Sequence, residues 1–167
     1  MQRLILLRHG KAESASSSGD DIERSLTDRG RRDSALMGRV LAEMGLSPDL
    51  ALVSTAKRAK ETWAEASAAF PAARAQSRRS LYLASLPQLE LAVAEVRDEA
   101  QVVLIVGHNP GLHEFALGHM RGPASPAKSR MMEGFPTAAA AVFSVAANDG
   151  LDFDTLLLPR DHGGGVL

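Results

Sequence analysis

Three short apolar runs in this chain end on residues able to bind and transfer a phosphoryl group. Leu4-Ile5-Leu6-Leu7 runs into Arg8-His9-Gly10, Leu50-Ala51-Leu52-Val53 runs into Ser54 with Arg58 one helical turn on, and Val102-Val103-Leu104-Ile105-Val106 runs into Gly107-His108. Ligands in open α/β sheets bind outside the carboxyl ends of the strands. If the three runs are neighbouring parallel strands, two guanidinium groups and two imidazoles meet on one rim. Arginine offers planar paired donors suited to phosphate oxygens, and helix N-termini near Lys57 and Leu112 can add amide donors. Cations so placed stabilise the charge spread over the equatorial oxygens during phosphoryl transfer.

The chain has no cysteine, and the expected cradle contains no obvious carboxylate, so the nucleophile falls to an imidazole. A histidine attacks only when neutral, and neighbouring cations depress its pKa toward that form. His9 is the better candidate because Gly10 leaves its flank open to substrate, with His108 stabilising the transferring group. The spacing leaves open which ring nitrogen attacks; a backbone carbonyl bonded to the other nitrogen would fix it.

The elements that must hold these groups are legible from pattern. The runs Leu4–Leu7, Leu50–Val53 and Val102–Val106 read as strands buried on both faces. Ser14 to Asp21 is a polar loop, and Thr27 caps a helix carrying Leu36, Met37, Val40, Leu41 and Met44, ended by Gly45 and Pro48. A second helix aligns Trp63, Ala66 and Phe70 before Pro71. A third runs from about Pro87 to Arg97, and a fourth from about Leu112 to His119. Leu81 to Leu83 reads as a short strand, and Arg121 to Gly134 as a loop. Strands near Ala139–Val145 and Phe153–Leu158 complete the set, and Asp161–Leu167 reads as a frayed tail. Strands alternating with helices predict a three-layer α/β/α sandwich around an open, mixed, mainly parallel sheet of about five to six strands. The whole chain, 1–167, reads as one domain.

Composition narrows the class. Aromatics make up only 4% of the 167 residues, so the core rests on Ala, Leu and Val. A net charge of −1 gives no overall pull toward nucleic acid or an anionic membrane. No run approaches the length of a membrane helix, and the absence of cysteine fits a reducing cytoplasm. The five histidines, at 9, 108, 113, 119 and 162, show no His-Glu-x-x-His spacing, and no P-loop motif occurs. The reading calls for no metal and no cofactor, and a monomer is the default.

The segments Leu7-Arg8-His9-Gly10-Lys11, Ser54 through Thr62 and Val106-Gly107-His108-Asn109-Pro110-Gly111 resemble the histidine phosphatase (phosphoglycerate mutase-like) superfamily. The small size and Arg24-Ser25-Leu26-Thr27 are similar to its SixA-type phosphohistidine phosphatases. That resemblance implies His9 as the phosphorylated nucleophile, Arg8 and Arg58 as phosphate ligands, His108 as the second histidine, and Arg24 as a further phosphate-facing arginine. It implies a phosphorylated protein, a histidine-containing phosphotransfer domain, as substrate. Thr62, one turn beyond Arg58 on the face of Ser54, reads as packing or support.

Many members of the superfamily carry a glutamate that protonates the leaving group after the third strand region. Here that stretch is Leu81-Tyr82-Leu83-Ala84-Ser85, with no carboxylate. An alkoxide needs a proton from a placed acid, whereas imidazole is a far weaker base, so the gap favours a P–N substrate. Glu13, Glu90 and Glu114 stay open as donors. There is also little sequence to build a lid, which suits a phosphohistidine presented on a protein surface; Arg121, Lys128 and Arg130 read as ordinary solubilising charge, with docking of a partner as the alternative. The rivals are a phosphatase of small phosphomonoesters and a phospho-reader that binds without turnover.

Overall fold

The computed structural model describes all residues 1–167. Six strands form one sheet: β1 (Arg3–Arg8), β2 (Leu50–Ser54), β3 (Arg74–Arg78), β4 (Val102–Gly107), β5 (Ala140–Val145) and β6 (Leu151–Leu157). Their order is β3-β2-β4-β1-β5-β6. β1 pairs parallel with β4, β4 with β2, and β2 with β3, while β5 and β6 add antiparallel at the far side. The register sets Leu7 against Val106, Arg8 against Gly107, and Val53 against Val106. The carboxyl ends of β1, β2 and β4 are therefore level, and His9, Ser54 and His108 emerge side by side.

The central strands are continuous apolar runs because both faces are covered, and Leu4 through Leu7 are fully buried. Alternate side chains enter two separate cores. Leu4, Leu6, Leu52 and Ile105 pack with α3 (Leu86–Val96), α4 (Gly111–Gly118) and α5 (Pro126–Glu133). Ile5, Leu7, Val53 and Val106 pack with α1 (Asp28–Glu43) and α2 (Lys57–Ala66). The result is the expected α/β/α sandwich. Scarcity of aromatics is met by close approach: a β-carbon on Gly38 of α1 would lie 2.4 Å from the Ala66 carbonyl oxygen of α2. Small residues bring these helices together where large ones would hold them apart.

Thr27 does cap α1, its hydroxyl accepting from the Gly30 amide. Three expectations fail. The short strand at Leu81–Leu83 is instead the end of a 3-10 turn, Arg79–Leu81, followed by Leu83 at φ +49°. The strand is β3, whose Arg-Ala-Gln-Ser-Arg sequence is polar because it lies at the sheet edge; its pairing with β2 supplies what its side chains do not. The loop at Arg121–Gly134 contains α5, started by Ser125, which accepts from the Lys128 amide, and by Pro126 in the first turn. The tail is anchored rather than frayed: Pro159–His162 is a 3-10 turn and the Gly165 amide donates to Asp33 Oδ1 at 2.9 Å. No helix is long and apolar enough to cross a membrane.

Candidate active site

At the level ends of β1, β2 and β4 lies a pocket of about 310 Å³. It brings together Arg8, His9, Arg24, Arg58 and His108, and adds Asp21. His9 is held by its backbone on both sides, its amide donating to the Gly107 carbonyl and its own carbonyl accepting from the Ala138 amide, each at 3.1 Å. The residue is 7% exposed. Its Nδ1 lies 2.8 Å from the Gly10 carbonyl oxygen. A carbonyl can only accept, so Nδ1 carries the proton and Nε2 keeps its lone pair. Burial, more than charge, holds the His9 pKa down to about 4; Arg58, Arg8 and Arg24 push the same way, against the Gly10 hydrogen bond. The sequence reading named the cations as the cause, but desolvation comes first.

Gly10 serves a different purpose from the one expected. A β-carbon there would lie 2.5 Å from the Gly30 carbonyl oxygen and 2.7 Å from Ser34 Oγ, so the missing side chain admits α1, not substrate. Its amide donates to Thr62 Oγ1 at 2.9 Å, and Thr62 in turn donates to the Arg58 carbonyl at 2.7 Å. Thr62 thus ties the loop after β1 to α2, the support expected of it.

Arg58, at the second position of α2, is only 2% exposed. A buried cation needs partners. Its terminal nitrogens donate to the Asp21 carbonyl at 2.8 Å and to Asp21 Oδ2 at 3.0 Å, while its buried Nε has no partner in the chain. Arg8 likewise leaves a buried Nε unpaired; its Nη1 donates to the Phe135 carbonyl at 3.0 Å. Arg24 reaches the same pocket from the loop before α1, donating to Asp21 Oδ1 at 2.9 Å and to the Glu13 carbonyl at 2.8 Å.

His108 stands with its ring centroid 5.2 Å from that of His9. Its Nε2 is 2.7 Å from Ser54 Oγ and its Nδ1 is 3.4 Å from an Arg58 nitrogen. Guanidinium only donates, so Nδ1 accepts and the proton sits on Nε2. Burial first, then the His9 and Arg58 charges, hold the His108 pKa down to about 3. Both imidazoles are neutral at neutral pH.

The expected anion donor at Leu112 is spoken for, because that amide donates to the His108 carbonyl at 3.0 Å. Glu13, Glu90 and Glu114 do not line the pocket; Glu90 stands 3.7 Å from His119 on another face. Lys128 and Arg130 are engaged within the chain, with the Pro123 carbonyl and Asp161. Asp21 is the residue the sequence reading missed. It lies within what read as a polar loop, and the usable signal was its position three before Arg24, facing a cluster of cations that must be paired.

Residues 4–82 match the histidine phosphatase superfamily (branch 1). An uncharacterized protein of Mycobacterium tuberculosis is 32% identical over 144 residues, covering 85% of this chain and 89% of its own length. Among solved structures, the SixA protein of Agrobacterium tumefaciens superposes with a TM-score of 0.82 at 26% identity, covering 95% of this chain and 99% of that one. The chain belongs to the histidine phosphatase superfamily. Within this superfamily it is of the SixA type, and it is a hydrolase of that class. The α-ribazole phosphatase of Shigella flexneri shares the fold at 16% identity, with a TM-score of 0.70 over 94% of this chain and 96% of that one. The fold alone therefore does not choose the substrate.

Proposed function

We propose that this chain removes the phosphoryl group from phosphohistidine on a partner protein, through a phosphohistidine intermediate on His9. The observation that carries this reading is the state of His9: neutral, with Nδ1–H fixed on the Gly10 carbonyl and Nε2 free to attack, in a pocket lined by Arg8, Arg24 and Arg58. Nε2 forms a bond to phosphorus as the P–N bond of the substrate breaks, and the electron pair leaves with the substrate ring, which already carries a proton on its distal nitrogen and so departs as neutral imidazole. The arginines hold the phosphoryl oxygens, with His108 beside them. Water then attacks the phospho-His9 phosphorus, and the His9 ring departs as the neutral Nδ1–H tautomer from which it began. The atoms balance without any acid to protonate His9, because its second nitrogen already carries the proton.

The substrate preference rests on the lack of a competent acid. Asp21 is the carboxylate lining the pocket, and its pKa is held down to about 2, first by the hydrogen bond from Tyr82 and then by Arg24 and Arg58. An ionised carboxylate has no proton to give an alkoxide, whereas imidazole leaves without one. Arginines supply the positive charge, and no group of three or more His, Asp or Glu stands together as a metal site. Turnover is expected to persist in strong chelator.

The test is incubation with a partner protein carrying radiolabelled phosphohistidine, beside an alkyl phosphomonoester. Phosphate release from the first, with acid-labile label trapped on His9, is expected. His9→Ala abolishes both at unchanged circular dichroism. Faster turnover of the alkyl ester points instead to a small-molecule phosphatase, and binding without label or release to a non-catalytic reader.

A further inference from the structure

Resting on the phosphohistidine reading, we propose that Asp21 is the residue that makes this site select P–N over P–O substrates, by accepting the distal N–H of the phosphorylated imidazole. The pocket is lined by four cations, Arg8, Lys11, Arg24 and Arg58, and one carboxylate. The cations attract the phosphoryl group, but they repel a ring that carries a proton on its other nitrogen. That protonated ring is the form that leaves readily, because it departs as neutral imidazole with no proton transfer in flight. Something at the site must hold it, and Asp21 is placed to do so.

Its carboxylate is fixed by three donors. Tyr82 Oη donates to Oδ2 at 2.6 Å, Arg58 to the same oxygen at 3.0 Å, and Arg24 Nε to Oδ1 at 2.9 Å. A carboxylate accepts about four hydrogen bonds, so one position on Oδ1 is left. The side chain is 46% exposed at the pocket mouth, where a leaving group enters and departs. The exchange is then symmetric in its chemistry. On the enzyme side the Gly10 carbonyl holds the distal N–H of His9, and on the substrate side Asp21 holds the matching N–H. The P–N bond to the substrate breaks as the P–Nε2 bond to His9 forms, and each ring keeps its distal proton throughout.

A purely structural role for Asp21, steadying Arg24 and Arg58, predicts equal losses on all phosphorylated substrates. The experiment compares kcat/KM of Asp21→Asn and wild type on a phosphohistidine protein and on p-nitrophenyl phosphate, whose leaving group needs no proton. The ratio of the two values is independent of how much of a preparation is folded. A charge-assisted hydrogen bond corresponds to about a tenfold or greater loss. Because Asp21 also steadies Arg24 and Arg58, both substrates lose rate in the variant; the expected result is a loss on phosphohistidine about tenfold or more greater than the loss on p-nitrophenyl phosphate. Equal losses on both, or none on phosphohistidine, overturn the proposal. Wild type that ignores phosphohistidine yet hydrolyses esters instead defeats the reading on which it rests.

Discussion

At the scale of single residues, the site works by keeping two imidazoles uncharged among guanidinium groups. His9 titrates near 4 rather than near its usual 6.5, chiefly because it is buried. Above that value it is neutral and nucleophilic; protonation removes the lone pair as pH falls through about 4. Titration of ¹⁵N-histidine-labelled protein by NMR should place the His9 midpoint near pH 4, and hydrolysis of p-nitrophenyl phosphate should share that acid limb. A midpoint near 6.5 for both would show that burial does not govern this group. The residue scale is also where the sequence reading fell short, at Asp21. Arginines and histidines announce themselves by position after strands. A carboxylate that balances them need only be near in space, and the one mark Asp21 carries is its place three residues before Arg24.

Between elements, a single threonine joins the loop after β1 to α2. Thr62 is fully buried, accepts from the Gly10 amide and donates to the Arg58 carbonyl. Thr62→Val keeps the shape and leaves the Gly10 N–H buried without a partner, which costs about 1–3 kcal/mol. Urea unfolding should show that loss, and activity should fall with it because Gly10 carries the carbonyl that sets the His9 tautomer. Legibility at this scale followed burial. The central residues of β1, β2 and β4 form unbroken apolar runs because both faces are covered, so composition alone reveals them. β3 is exposed or half-buried along its length, and its strand state is imposed by β2. α5 buries only Met131, so its periodicity was faint, although Ser125-Pro126 marked its start. Gly10 was recognised as necessary for the wrong reason, because the helix that fills its flank is distant in sequence.

For the molecule as a whole, the buried histidines tie stability to pH. Unfolded histidine binds a proton near 6.5, whereas folded His9 does so only near 4 and His108 near 3. Between those values the unfolded chain takes up more protons, so stability falls as pH falls. His9 alone contributes a loss on the order of 3 kcal/mol between about pH 6.5 and pH 4. Asp21, depressed to about 2, contributes stability that is lost below the ordinary carboxylate range. Urea midpoints at about pH 7 and pH 4.5 should differ accordingly, and His9→Ala should narrow the gap.

His9 and His108 follow the two innermost strands of the sheet, β1 and β4, each flanked by a neighbour on either side. Fraying that begins at the outer strands must consume most of the sheet before it reaches either imidazole. Loss of the nucleophile therefore coincides with loss of the centre of the sheet rather than with fraying of an edge. The Asp21 and Arg24 loop has no such anchorage in the sheet. That rim is held by side-chain hydrogen bonds, while the nucleophile rests on the part of the molecule last to come apart.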